Sequence, residues 1–307
     1  MKKILYIFAL TLIFGSCEDF LDREPVEQVS INQQFSNISG LMQALNGAYA
    51  EYESIYSNIY FLYADVLAGN AKFAPNPQGI AAVPELLQTV YSFEEQANEG
   101  RFSSYYQNAY GLVNALNLIL ENIDEVPNLN ESKKQQVIAE VLAMRGSVHF
   151  DLSKLFAQTY SFSEDAQHLG IVYNTKTIVA GEDFPSRKSL EETYNLIESD
   201  LLEALELFTN SPALEFGPES SYFNSVNTRA LLSRLYLYQE DWQSVIDQAS
   251  VVINSDIALT PRAQLIEEWA EFKPLSEALF EFTPPLTSDG GLVSSSVSSF
   301  FELVIDD

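Results

Sequence analysis

Apolar side chains in this chain recur every three or four residues for stretch after stretch, and that period confines most of it to α-helix. Leu41, Leu45, Ala48, Tyr49, Tyr52, Ile55 and Tyr56 share one face of a first helix. Phe102, Tyr106, Ala109, Tyr110, Val113, Leu116, Leu120 and Ile123 line a second. It stops before Pro127, whose ring cannot continue a helix. A third carries Val137, Ile138, Val141, Leu142, Val148, Leu152, Leu155 and Phe156. Ser132 and Gln135 suit a capping box at its start, each side chain satisfying a free amide at the helix N-terminus. Ser189 and Glu192 form the same pattern ahead of Tyr194, Ile197, Leu201, Leu205 and Phe208. Two more helices, roughly 226–238 and 242–254, are joined by the tight turn Gln239-Glu240-Asp241.

Helices of this length, paired through short turns, predict a mainly α fold: a tetratricopeptide-like solenoid of helical pairs with long irregular loops and minor β structure. The run Ala230 to Tyr238, then Asp241-Trp242, Ala249 and Ile253, resembles one degenerate tetratricopeptide unit, with small residues where two helices approach and large ones filling the gaps. Between the pairs, 69–84 is punctuated by Gly69, Pro75, Pro77, Gly79 and Pro84 and cannot be helical throughout. Residues 158–187 and the Ser/Gly-rich 288–299 also read as loops, with short strands expected at 170–173 and, from its alternation, 278–282.

The N-terminus adds an address. Lys2 and Lys3 precede an uncharged run from Ile4 to Phe14, too short to span ~30 Å of hydrocarbon, so residues 1–16 read as a signal peptide. The run ends in Phe14-Gly15-Ser16-Cys17, small residues before the only cysteine in the chain. Cys17 is therefore the expected lipidation site, residues 17–30 an acidic lipidated tether, and 31–307 the helical domain. Several acyl chains on Cys17 would anchor the protein stably. The membrane is then met through the lipid anchor only.

Charge excludes some partners. With 16 Lys+Arg against 43 Asp+Glu, the net charge is −27, which repels nucleic-acid backbones and anionic headgroups alike. Catalytic signatures are missing: there is no G-x-S-x-G, P-loop, C-x-x-C or H-E-x-x-H. The two histidines, His149 within a helix and His168 in a loop, have no partners in sequence to make a metal set. Adjacent carboxylates such as Glu94-Glu95, Glu191-Glu192 and Glu267-Glu268 carry little information in so acidic a chain. No enzyme activity, cofactor or metal is expected. Aromatic residues are the better clue to a ligand, since sugar rings stack on flat apolar faces. Asn70 and Phe73, in the stretch from Asp65 to Phe73, are candidate ligand contacts: an amide for hydroxyls and a ring for stacking. The alternative is a loop that packs on the scaffold. Trp269 is a weaker candidate.

Several segments together resemble one family. Cys17-Glu18-Asp19-Phe20-Leu21-Asp22 with Pro25 is similar to the start of SusD/RagB-type nutrient-binding lipoproteins. Arg187 to Tyr194 with Ile197, Asp200-Leu201 and Ala204, Ala139-Glu140 with Arg145, Val226 to Ala230 through Asp241-Trp242, and Ser276 to Phe282 resemble its later segments in order and spacing. The resemblance implies a non-catalytic outer-membrane lipoprotein, exposed at the cell surface, that captures a glycan or oligosaccharide for a SusC-like TonB-dependent transporter. It also implies ligand contacts in the 65–73 loop and a packed position for Trp242. The alternative reading is a helical lipoprotein serving as a protein-interaction or assembly module in the outer envelope. Members of that family usually run longer than 307 residues, so the resemblance implies either a chain incomplete at its C-terminus or one without the C-terminal loops.

Overall fold

The computed structural model describes residues 29–56, 62–70, 73, 83, 85–96, 102–208, 219–270 and 275–282. Cys17, the leader and tether, and the 288–299 stretch lie outside them. The frame consists of α1 (Ile38–Tyr56), α2 (Leu62–Leu67), α3 (Ser103–Asn122), α4 (Glu131–Phe156), α5 (Leu190–Phe208), α6 (Ser225–Gln239) and α7 (Trp242–Ile253). α1 packs on α3, α3 on α4, α4 on α5, α5 on α6 and α6 on α7, the neighbour-to-neighbour stacking of a helical solenoid. The mainly α expectation holds, with helices where the apolar period places them.

Local chemistry sets the ends. α4 begins two residues earlier than the Ser132 box implies: Asn130 is the cap, its Oδ1 accepting from Lys133 N at 2.8 Å. Asparagine caps at least as well as serine, and this start puts Glu131 in the first turn, against the positive helix end. Ser189 does cap α5, Oγ accepting from Glu192 N at 3.1 Å. α6 opens on a reciprocal box: Asn224 Oδ1 accepts from Asn227 N, and Asn227 Oδ1 from Asn224 N. It closes on Glu240 at φ 61°, the left-handed turn that folds α7 back.

α4 is the axis of the core. From Gln136 to Phe150 every residue except Ile138 is buried. One side joins Leu41, Leu45, Leu112, Leu116 and Met144 in a cluster shared with α1 and α3. Phe150 joins Leu190, Tyr194, Ile197, Leu201, Leu232 and Leu235 on the α5–α6 side. Each such side chain contributes about 1.5–3 kcal/mol by leaving water. Gly146 lets α5 approach: a Cβ there would stand 3.1 Å from Leu201 Cδ2 and 3.6 Å from the Ile197 carbonyl oxygen.

The expected β structure reduces, among the described residues, to a single antiparallel bridge, Leu169 with Ser189. Residues 170–173 make no strand: in the antiparallel register of that bridge they would face 185–188, but the exchange stops after Lys188, and the Ile171 N–H turns to Thr193 Oγ1 instead. The 278–282 stretch is bent rather than a strand. Its alternation instead sends both Phe280 and Phe282 onto Tyr52, with ring centroids 5.8 and 5.5 Å away. The long 158–187 loop is ordered by polar contacts. Arg187 donates to the carbonyls of Gly170, Phe156 and Leu169. Asn114, Asn117 and Glu121 on α3 hold the backbone of 174–178.

Candidate functional site

Among the described residues, an apolar hollow of about 700 Å³ with convergent polar groups lies between α2 and the adjoining ends of the long helices. α2 gives Tyr63, Ala64 and Leu67, with Ala68 just after it, and α3 gives Tyr105. α4 supplies Asp151 and Lys154, α5 Tyr194, α6 Arg234 and Tyr238. Gln158 and Thr159, from the turn after α4, complete the wall. The spacing explains the gathering. Asp151 and Lys154 lie one turn apart on α4, and Arg234 and Tyr238 one turn apart on α6, so each pair shares a face.

Ring geometry is tight. Tyr63 meets Phe102 edge to face at 4.7 Å, and Tyr238 meets Phe150 at 5.3 Å. Lys154 Nζ lies 4.7 Å from the centre of the Phe150 ring and 5.9 Å from that of Tyr238, a cation over two aromatic faces. It also pairs with Asp151, whose carboxylate accepts the Tyr56 hydroxyl. Burial pushes the Tyr194 phenol up to about 12 and raises that of Tyr105 further, so both stay protonated. Tyr105 and Tyr194 are buried within the wall, whereas Tyr238 is exposed and Tyr63 half-buried. The latter two keep part of their rings exposed at the cleft.

Asn70 is exposed two residues beyond Ala68, its Nδ2 3.3 Å from Asp65 Oδ1. Phe73 packs edge-on to Tyr91 at 5.6 Å and against the small cluster of Val66, Leu87 and Val90. Neither lines the cleft itself, but both adjoin the helix that does. Trp269 belongs to the short helix Leu265–Ala270, and its side chain lies outside those described. Trp242 departs from expectation: it is 59% exposed, because α7 packs on α6 through Val245 and Gln248 and turns its tryptophan outward.

The histidines are structural. His149 stacks on Tyr173 at 3.9 Å, with Nε2 accepting from Asn174 N and Nδ1 donating to the Arg145 carbonyl. Burial, with the Arg145 charge beside it, lowers it to about 3 and keeps the ring neutral. His168 rests on Ser163 and on the edge of Phe162. Among the described residues no three or more His, Cys, Asp or Glu side chains are placed to hold a metal ion. Pattern reading found Tyr194 and Tyr238 as helix residues but gave no sign that α2 would close over them. The signal available was the residue pairing on α4 and α6.

A family profile described as starch-binding and associating with the outer membrane matches residues 19–237. The chain belongs to this SusD-like family. A curated SusD-like protein of Formosa agariphila is 22% identical over 270 residues, 85% of this chain and 48% of the relative. Among solved structures, a SusD superfamily protein from Bacteroides vulgatus aligns with a TM-score of 0.70 at 24% identity, over 85% of this chain and 57% of that one. A laminarin-binding SusD-like protein aligns with a TM-score of 0.56 at 19% identity, over 74% of this chain and 45% of its own. The chain thus spans about half the length of the curated relatives it matches. No helix among the described residues is long and apolar enough to cross a membrane.

Proposed function

We propose that this chain captures glycan at the outer face of the outer membrane, tethered through lipidated Cys17, and passes it without chemistry to a SusC-like TonB-dependent transporter. The observation that carries the reading is the tyrosine-walled cleft: Tyr63 and Tyr238 offer faces to sugar C–H groups, with Lys154, Arg234 and Gln158 beside them for hydroxyls. Asn70 and Phe73 extend the site beyond α2. Among the described residues that line the cleft the one carboxylate, Asp151, is already engaged by Lys154 and Tyr56, whereas glycoside hydrolysis needs two across the bond. The starch-binding description of the family and the laminarin-binding relative agree in ligand class.

Affinity electrophoresis across a polysaccharide panel tests the proposal. At least one glycan should retard the protein, and Tyr63→Ala with Tyr238→Ala should weaken that retardation about tenfold. No retardation by any member of the panel would remove the reading. Metabolic labelling with a fatty-acid analogue should mark the wild type and not Cys17→Ser, and a pull-down from outer membranes should recover the transporter. A second reading, a protein-interaction module, is favoured by one feature, the exposed stripe of Trp242, Ile246 and Ile253 on α7. It gains if the panel gives nothing and Trp242→Ser abolishes recovery of an envelope protein.

A further inference from the structure

The cleft sets a guanidinium beside aromatic rings in a strongly acidic chain. Overall the protein is at −27, yet the described lining of the cleft includes the cations Lys154 and Arg234 beside Asp151, with Glu95 next to it as the acceptor of the Tyr63 hydroxyl. Lys154 is spent on Asp151, so the two cancel. Arg234 is exposed and has no ion-pair partner among the described residues. On its own helix the positions one turn away are Ala230, Leu231, Leu237 and Tyr238, none of them acidic. In a chain where acids outnumber bases by more than two to one, a guanidinium without an ion pair beside a partly exposed tyrosine ring is the group in the cleft placed to take an anion.

We infer that the cleft selects an acidic sugar, carboxylated or sulfated, with Arg234 taking the anion and Tyr238 the ring next to it. This rests on the glycan-capturing reading and deepens it by naming the charge of the ligand. A guanidinium presents parallel N–H donors in a fixed plane that matches the paired oxygens of a carboxylate or a sulfate. The remote negative surface does not cancel this attraction. At physiological ionic strength charges are screened over roughly 8 Å, so an anion inside the cleft is governed by the cation beside it.

Calorimetry on the full chain decides the matter with three probes: an oligogalacturonate for carboxylate, a κ-carrageenan oligosaccharide for sulfate, and maltohexaose as the neutral sugar. At least one acidic probe should bind about tenfold more tightly than maltohexaose, and added salt should shrink that advantage. Arg234→Gln should bring the acidic-to-neutral ratio close to one, and Arg234→Lys should keep part of it, with circular dichroism confirming that both variants fold. Which acidic probe wins assigns carboxylate or sulfate. Maltohexaose binding as tightly as both acidic probes, or a ratio unmoved by Arg234→Gln, overturns the inference while leaving glycan capture standing. Binding of none of the probes, together with a blank polysaccharide panel, removes both.

Discussion

α4 and α7 are both helices with clear apolar periods, and they end up in opposite surroundings. α4 is buried on nearly every side and takes charged and polar residues inside with it: Gln136, Glu140, Arg145, Ser147, His149 and Ser153. α7 has no fully buried residue and presents Ile246 and Ile253, 57% and 77% exposed, to the outside. Periodicity tells which face of a helix prefers company. Place in the stack decides how many faces receive it. A helix in the middle of a solenoid is covered by neighbours on both sides, so even its polar face is enclosed and every polar group there needs a partner. α7, the outer helix of its pair, packs mainly on α6, and its other apolar face stays open.

The sharpest way to break this contrast is to remove a partner inside α4. Arg145 forms a two-pronged pair with Asp200, 2.7 Å at each prong, and donates to Asn117 Oδ1 at 2.8 Å. Tyr173 donates to the same aspartate at 2.6 Å. Arg145→Met would leave Asp200 charged, buried and short of its cation, at a cost of about 3–5 kcal/mol in urea unfolding. A cost below about 1 kcal/mol would mean the pair is not enclosed and that α4 resembles α7 after all.

Next in size is a pH effect carried by two buried groups of opposite sense. Glu140 accepts from Tyr49 and Gln136, yet burial raises it from 4.5 to about 7. Below about pH 4.5 folded and unfolded chains both hold its proton. From there to about 7 only the unfolded chain releases it, so stability falls by about 3 kcal/mol as pH rises. His149, lowered from 6.5 to about 3, works the other way: as pH drops below 6.5 only the unfolded chain takes up a proton, and stability falls. Between about 4.5 and 6.5 the two slopes oppose each other. Glu140→Gln should remove one of them, so that the variant's urea midpoint, relative to wild type, rises with pH through this window and levels off above 7. Parallel profiles for the two proteins would show that Glu140 is not enclosed.

The six long helices were legible because their stripes are long and uninterrupted, and the Ser189 cap because nothing nearby competes with it. What could not be read is instructive in the same terms. Asn114 and Glu121 lie on the polar side of α3 and look like a solvated face, but with the buried Asn117 they hold the 174–178 backbone. Hydropathy cannot tell water from a loop as the partner of an amide. The 170–173 segment has the residues of a strand, yet its pairing ends where the Ile171 N–H turns to the Thr193 hydroxyl on α5, a contact no alternation pattern records. The cleft was hidden for a related reason: its wall is drawn from five helices whose relative placement no single stripe records. Asn70 and Phe73 were chosen from loop chemistry and the family resemblance, and they lie beside the cleft rather than in its wall.

The start of α4 offers a smaller test, because two neighbouring residues compete for one role. Asn130→Ala should cost about 1 kcal/mol, the ordinary worth of a side-chain cap, whereas Ser132→Ala should cost a few tenths at most. The reverse order would restore Ser132 as the cap and move the helix start by two residues.

The smallest expected effect is the one that probes α7. Ile253 is exposed on the same face as Ile246 and Trp242, away from the Val245 side that meets α6. Replacing it with asparagine removes no buried area, so unfolding of the full chain should shift by no more than about 0.5 kcal/mol. The same change should reduce binding of a hydrophobic dye, since the open stripe is what the dye would occupy. A loss of about 1.5 kcal/mol or more would have a definite meaning: apolar area at Ile253 is then withdrawn from water, and the stripe is covered in the folded protein. α7 would in that case sit inside the stack, as α4 does, and the difference between the two helices would lie in what covers them rather than in whether they are covered.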